Sequence, residues 1–159
     1  MLITMKPNMF NIEDVYYCKP IRNKIMNGGM FMRIIYSNSM VSINGIHIVF
    51  SISGKIHEVY NNKYKFAYDT VSPDILNIIN NLECIEKNIL SSCSLSDKTP
   101  SYKLKDQLEQ KFFKFFQSSH YVKPSGKQSN NSSTIFSLKI SGVWPTETTY
   151  GITDRFTKV

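Results

Sequence analysis

The dipeptide Asn44-Gly45 lies between two apolar, β-branched runs, residues 40–43 (MVSI) and 46–52 (IHIVFSI). No other short-range signal in this chain constrains the fold as much. Both central residues of a type I′ turn need positive φ, which Asn and Gly tolerate, so the pattern predicts a β-hairpin.

The surrounding residues extend this reading. Val15-Tyr16-Tyr17-Cys18 is a short aromatic strand ended by Pro20, and Asn27-Gly28-Gly29 marks a turn. Residues 30–37 (MFMRIIYS) form a further strand candidate. Residues 55–60 and 63–68 flank Asn61-Asn62 as a second hairpin. In the latter run, alternation places Tyr64, Phe66 and Tyr68 on one face and Lys63 and Lys65 on the other.

The middle of the chain changes period. Ser72-Pro73-Asp74 supplies an N-cap, a proline for the first helical position and an acid for the first turn. Ile75, Ile78 or Ile79, Leu82, Ile85 and Ile89 follow at helical spacing, predicting a helix over about 73–90. Pro100-Ser101 opens a second helix, with Leu104, Leu108, Phe112 and Phe115 on one stripe and Lys103, Lys105, Lys111 and Lys114 around it. Residues 118–133 are rich in Ser, Asn, Gly and Pro, and predict a flexible basic loop. Strands resume at 134–144 and 149–156. The expectation is one domain over 1–159: a β-rich α+β fold, an antiparallel OB-like barrel with a two-helix insertion.

Charge narrows the function. The formal net charge is +7, from 19 Lys plus Arg against 12 Asp plus Glu. Residues 98–139 hold eight lysines and only two acids, Asp106 and Glu109. A basic balance favours polyanionic partners. Residues 1–10 carry no apolar signal core, and no apolar run approaches the roughly 20 residues of a spanning helix. The chain is therefore expected to be intracellular, neither secreted nor in a membrane. The three cysteines, Cys18, Cys84 and Cys93, read as reduced thiols.

Catalytic patterns are missing from the sequence. His47 and His57 fall on adjacent predicted strands, but no Cys, Asp or Glu completes a metal set at recognisable spacing. Gly28-Gly29 lacks the rest of a phosphate loop, and there is no G-x-S-x-G or H-E-x-x-H. A non-enzymatic binder without cofactor or metal is expected.

Single-strand binders combine a positive groove that tracks phosphates with aromatic faces that stack bases. The interleaved candidates are Arg33 with Tyr36, Tyr60, Tyr64 with Lys63 and Lys65, and Tyr121 with Lys123. The lysines Lys103, Lys111, Lys114, Lys127 and Lys139 complete the expected nucleic-acid-binding set. The main alternative is a protein-interaction or virion structural module built on an exposed Phe112 to Phe116 cluster. Oligomeric state is left open, a homodimer included.

The order of segments resembles a known family. An early Tyr/Pro segment is followed by Gly-Gly and an aromatic strand ending at Tyr36. A helix follows an aromatic hairpin. A late strand, Leu138-Lys139-Ile140-Ser141-Gly142-Val143-Trp144, precedes Tyr150-Gly151-Ile152-Thr153. This layout resembles the single-stranded-DNA-binding proteins of large DNA viruses related to the T7-type phage protein. The resemblance implies an OB-fold that coats single strands in replication or recombination, DNA before RNA, in host cytoplasm or nucleus. Such proteins often end in an acidic tail with a terminal aromatic. Residues 154–159 (DRFTKV) are basic on balance and depart from that pattern, so either the tail is absent or partner recruitment works differently.

Overall fold

The structure, a computed structural model, describes residues 3–22, 24, 29–60, 63–117 and 133–159. The strands are β1 (Val15–Tyr17), β2 (Ile21–Arg22), β3 (Met30–Ser37), β4 (Ser42–Asn44), β5 (Ile46–Ser53), β6 (Lys55–Tyr60) and β7 (Lys63–Ala67). Helix α1 (Pro73–Ser92), β8 (Thr99–Pro100) and α2 (Lys103–Glu109) follow, then β9 (Phe112–Gln117), β10 (Ser133–Pro145) and β11 (Thr149–Lys158). The expected β-rich α+β class is present, with two helices between β7 and β9.

The sheet differs from the expected antiparallel barrel in two ways. It is mixed, because β8 and β9 run parallel to β11. The chain reaches β11 from β9 by way of β10, which is antiparallel to β11 and lies on its other side, so β11 comes back beside β9 in the same direction. The sheet is also open. Its main path runs β1-β3-β10-β11-β9-β7-β6, and among the described residues no pairing joins the two ends.

Asn44-Gly45 is not the hairpin turn that its flanks suggest. Gly45 does adopt positive φ, at 77°, but β4 and β5 do not pair with each other. Here β4 pairs with β3, while β5 pairs with β10. Gly45 is the bend at which one extended segment changes partner. Its N–H donates to the Ile34 carbonyl, and a side chain there would meet the Ile140 carbonyl oxygen at 2.8 Å. The hairpin turn lies earlier, where the Asn38 side-chain oxygen accepts from the N–H groups of Met40 and Val41. An Asn side chain that mimics a backbone turn can reverse the chain without glycine.

The second helix is also shorter than its stripe. It ends at Glu109, and Lys111 takes φ of 59° to turn the chain. Phe112 and Phe115 therefore sit on β9, not on a helix. Strand alternation then sends Phe113 and Phe115 inward, and both are buried. Phe113 stacks on Phe156 at 4.2 Å between centroids and meets Phe136 edge-on at 4.9 Å. Helix α1 packs Ile75, Ile79, Leu82, Ile85 and Ile89 into this core. The inner face of the sheet is thus filled, and the outer face carries charged side chains interspersed with rings such as Phe116 and Trp144. No helix among the described residues is long and apolar enough to cross a membrane.

Candidate nucleic-acid interface

Side chains alternate along a strand, and residues paired across a ladder share a face. On β10, Leu138 and Ile140 are buried, so Lys139 points outward. It pairs with Arg155 on β11 and with His47 on β5. On β9, Lys114 points outward between buried Phe113 and Phe115, and it pairs with Lys65 on β7. Lys65 pairs in turn with His57 on β6. The parallel ladder sets Phe156 beside Phe115, which brings the preceding residues, Arg155 and Lys114, to the same rung.

One rung of the outer face therefore reads His47, Lys139, Arg155, Lys114, Lys65, His57 across six strands. With neighbouring strands about 4.8 Å apart, the row is about 24 Å long. It contains four permanent cations and no acid. The ion pairs Lys98–Asp97 at 3.7 Å and Lys105–Glu109 at 3.6 Å use none of them. Burial lowers the His47 pKa against a contact to the Asn44 carbonyl, and the Lys139 charge lowers it further.

Aromatic rings flank the row. The Lys65 ammonium lies 3.7 Å from the Phe112 centroid, and the Arg155 guanidinium carbon 4.3 Å from that of Phe116. Phe116, opposite Lys63 on β7, is 40% exposed. Trp144 joins this face through an irregularity in β10. The register shifts between Ile140 and Gly142, after which Val143 faces inward and Trp144 outward, opposite Gly151. The indole N–H donates to the Ile152 carbonyl at 2.9 Å, and the Lys103 ammonium lies 4.7 Å from a Trp144 ring centroid.

Helix α2 borders the face. β8 and β9 flank β11 at its two ends, and α2 fills the interval between them. Leu104 and Leu108 anchor the helix inward. Its start is fixed by α1: the fully buried Glu86 carboxylate accepts from the N–H groups of Leu104 and Lys105 at 3.0 and 2.8 Å. Lys103 and Gln107 then line a groove of about 430 Å³ together with Lys63, Lys114, Phe116 and Arg155.

The residues expected from sequence divide clearly. Lys63, Lys65, Lys114 and Lys139 share the outer face, with Lys103 at its border. Arg33 lies on the same face of β3, opposite Gly142. Tyr36 and Tyr64 do not. Both point into the core, where Tyr36 donates to the Asp14 carboxylate and Tyr64 stacks on Phe115. Inward alternation, which also makes these strands amphipathic, removes them as base-stacking surfaces. Tyr60 is exposed on β6. Lys111 is exposed, but its backbone serves the chain reversal, donating to the Leu108 carbonyl and accepting from Tyr68. Asn61-Asn62, Asn27-Gly28, and Tyr121, Lys123 and Lys127 of the expected loop lie outside the described residues.

The nucleic-acid-binding set read from sequence left out Arg155 and Trp144, and placed Phe116 only in the alternative protein-interaction cluster. The one available signal was the alternation Phe113-Lys114-Phe115-Phe116, masked by the helical stripe before it. The Phe112 to Phe116 cluster is divided between faces, with Phe113 and Phe115 in the core, so it does not form one apolar patch. The chain matches no protein-family model, no curated protein and no solved structure.

Proposed function

We propose that this protein is a non-catalytic single-stranded-nucleic-acid binder, DNA before RNA, and that the outer face of its sheet is the binding surface. The observation that carries the reading is the cationic row. Like charges set directly opposite each other weaken a sheet. Two such pairs, Lys139 with Arg155 and Lys65 with Lys114, stand side by side. A polyanion that crosses the strands relieves both.

Flanking aromatics favour a single strand over a duplex. A duplex hides its base faces, whereas a single strand offers them for stacking on Trp144 and around Phe116. The preference for DNA, and a viral role in replication or recombination, rest on the resemblance of the segment order, from Tyr17 to Tyr36 through the helix after the aromatic hairpin to residues 138–144 and 150–153.

Titration at low salt with oligo-dT, oligo-rU and a duplex of equal length tests the reading. Tightest binding to oligo-dT is expected. Failure to bind any of the three, or a preference for the duplex, would reject it.

A further inference from the structure

The groove between α2 and the outer face differs from the rest of the row. The row is a flat line of cations. The groove has a floor, made by Phe116 and Arg155 on adjacent strands, and a wall, made by Lys103 and Gln107 on the helix. Its size falls in the range of sites that hold a small molecule. A bare phosphate path requires neither a flat floor nor an uncharged amide.

The floor is of a particular kind. The Arg155 guanidinium lies over Phe116 rather than against a carboxylate. A guanidinium laid on a ring keeps its charge and offers a planar surface, and unpaired bases stack on such planes. Gln107 sits one helical turn after Lys103, and its carboxamide can both donate and accept along a base edge. Lys63 stands opposite Phe116 on β7, and Lys114 is beside Arg155. Cations therefore occur on more than one side of the floor. Asp154 also lines the groove, but its pairing with buried Ile140 turns it to the inner face, away from Arg155.

We propose that this groove takes one nucleobase of the bound strand, stacked on the Arg155–Phe116 platform with its edge toward Gln107 and its flanking phosphates held by Lys63, Lys103 and Lys114. This rests on the reading of the outer face as a single-strand surface. It adds a defined place for one base, over the Arg155 plane beside Gln107.

The test compares oligo-dT with an abasic oligonucleotide of the same length and charge, for the native protein, Arg155→Lys and Phe116→Ala. Arg155→Lys keeps the charge and removes the plane. Both positions are exposed, and circular dichroism with thermal melting checks that the variants fold. The native protein should bind oligo-dT roughly tenfold more tightly than the abasic strand. Each variant should lose most of that advantage. Equal native binding to the two strands, or full oligo-dT affinity in Arg155→Lys, would overturn the base pocket and leave the phosphate surface standing. Absence of binding to both strands would overturn the two together.

Discussion

Lys139 and Arg155 stand directly opposite each other across the β10–β11 ladder, on the outer face of the sheet. Neither position is needed for the core, since their neighbours Leu138, Ile140 and Phe156 fill it. The fold holds a like-charge pair where a neutral pair would stabilise the sheet better. In a binding protein this has a direct consequence: the surface is less stable without its ligand than its strands allow.

Lys139→Thr should therefore stabilise the free protein while weakening it as a binder. Threonine suits a strand, and the substitution removes repulsion from Arg155. A gain of roughly 0.2–1 kcal/mol is expected in urea denaturation, with reduced affinity for oligo-dT. A variant that is less stable and binds as before would contradict the role given to the row.

The two sides of β9 should separate stability from binding. Phe113→Ala removes a fully buried ring and should cost about 3–5 kcal/mol. Phe116→Ala, at a 40% exposed position, should change stability by only about 0.5 kcal/mol yet reduce oligonucleotide affinity. Chemical denaturation and binding isotherms on the same preparations check both halves.

Stability should fall as pH rises from about 4 to 7. Burial pushes Glu86 up to about 7 against its two backbone hydrogen bonds, with Asp154 and Asp106 adding repulsion, and burial pushes Asp154 up to about 6. In the unfolded chain both carboxyls ionise near their ordinary values, so over this interval the folded state holds protons that the unfolded state has lost. The stabilisation is complete below the unfolded values and is lost as pH passes the folded ones. Glu86→Gln retains one acceptor for the start of α2 and should remove about half of the slope in thermal midpoint between pH 4.5 and 7.5. An unchanged slope would show that Glu86 does not titrate in this way.

Gly151 should tolerate no side chain. A Cβ there would lie 2.4 Å from the Trp144 ring and 3.0 Å from the Ser101 carbonyl oxygen. Gly151→Ala should destabilise by roughly 1–3 kcal/mol and shift the emission of Trp144, the chain's single tryptophan. In the native protein the same emission should change on adding oligo-dT, because Lys103 contacts Trp144 and lines the groove.

Local signals in the sequence were legible where local forces decide. Ser72-Pro73-Asp74 marked the start of α1, and alternation in residues 63–68 assigned Lys63 and Lys65 to the outer face. Gly45 was read as a positive-φ position, which it is, but the partner of β5 is β10, more than eighty residues away in places. No dipeptide encodes that choice. The run Phe112-Phe113-Lys114-Phe115-Phe116 fits a helix stripe and a strand equally, and its pairing with β7 and β11 decided for the strand. The cationic row was legible only as an excess of lysine. Its order depends on the registers of six strands drawn from residues 46–158, and its two halves, Lys139 with Arg155 and Lys114 with Lys65, are joined by a parallel pairing that the sequence does not announce.

The salt dependence of oligo-dT binding tests the central claim most directly. Counterion release gives a linear fall of log K with log salt, with a slope of about −0.7 for each phosphate neutralised on a single strand. The double variant Lys114→Thr with Lys139→Thr should bind more weakly and show a slope shallower by about 1.4. A double variant with the native affinity and slope would contradict the cationic row as the binding surface.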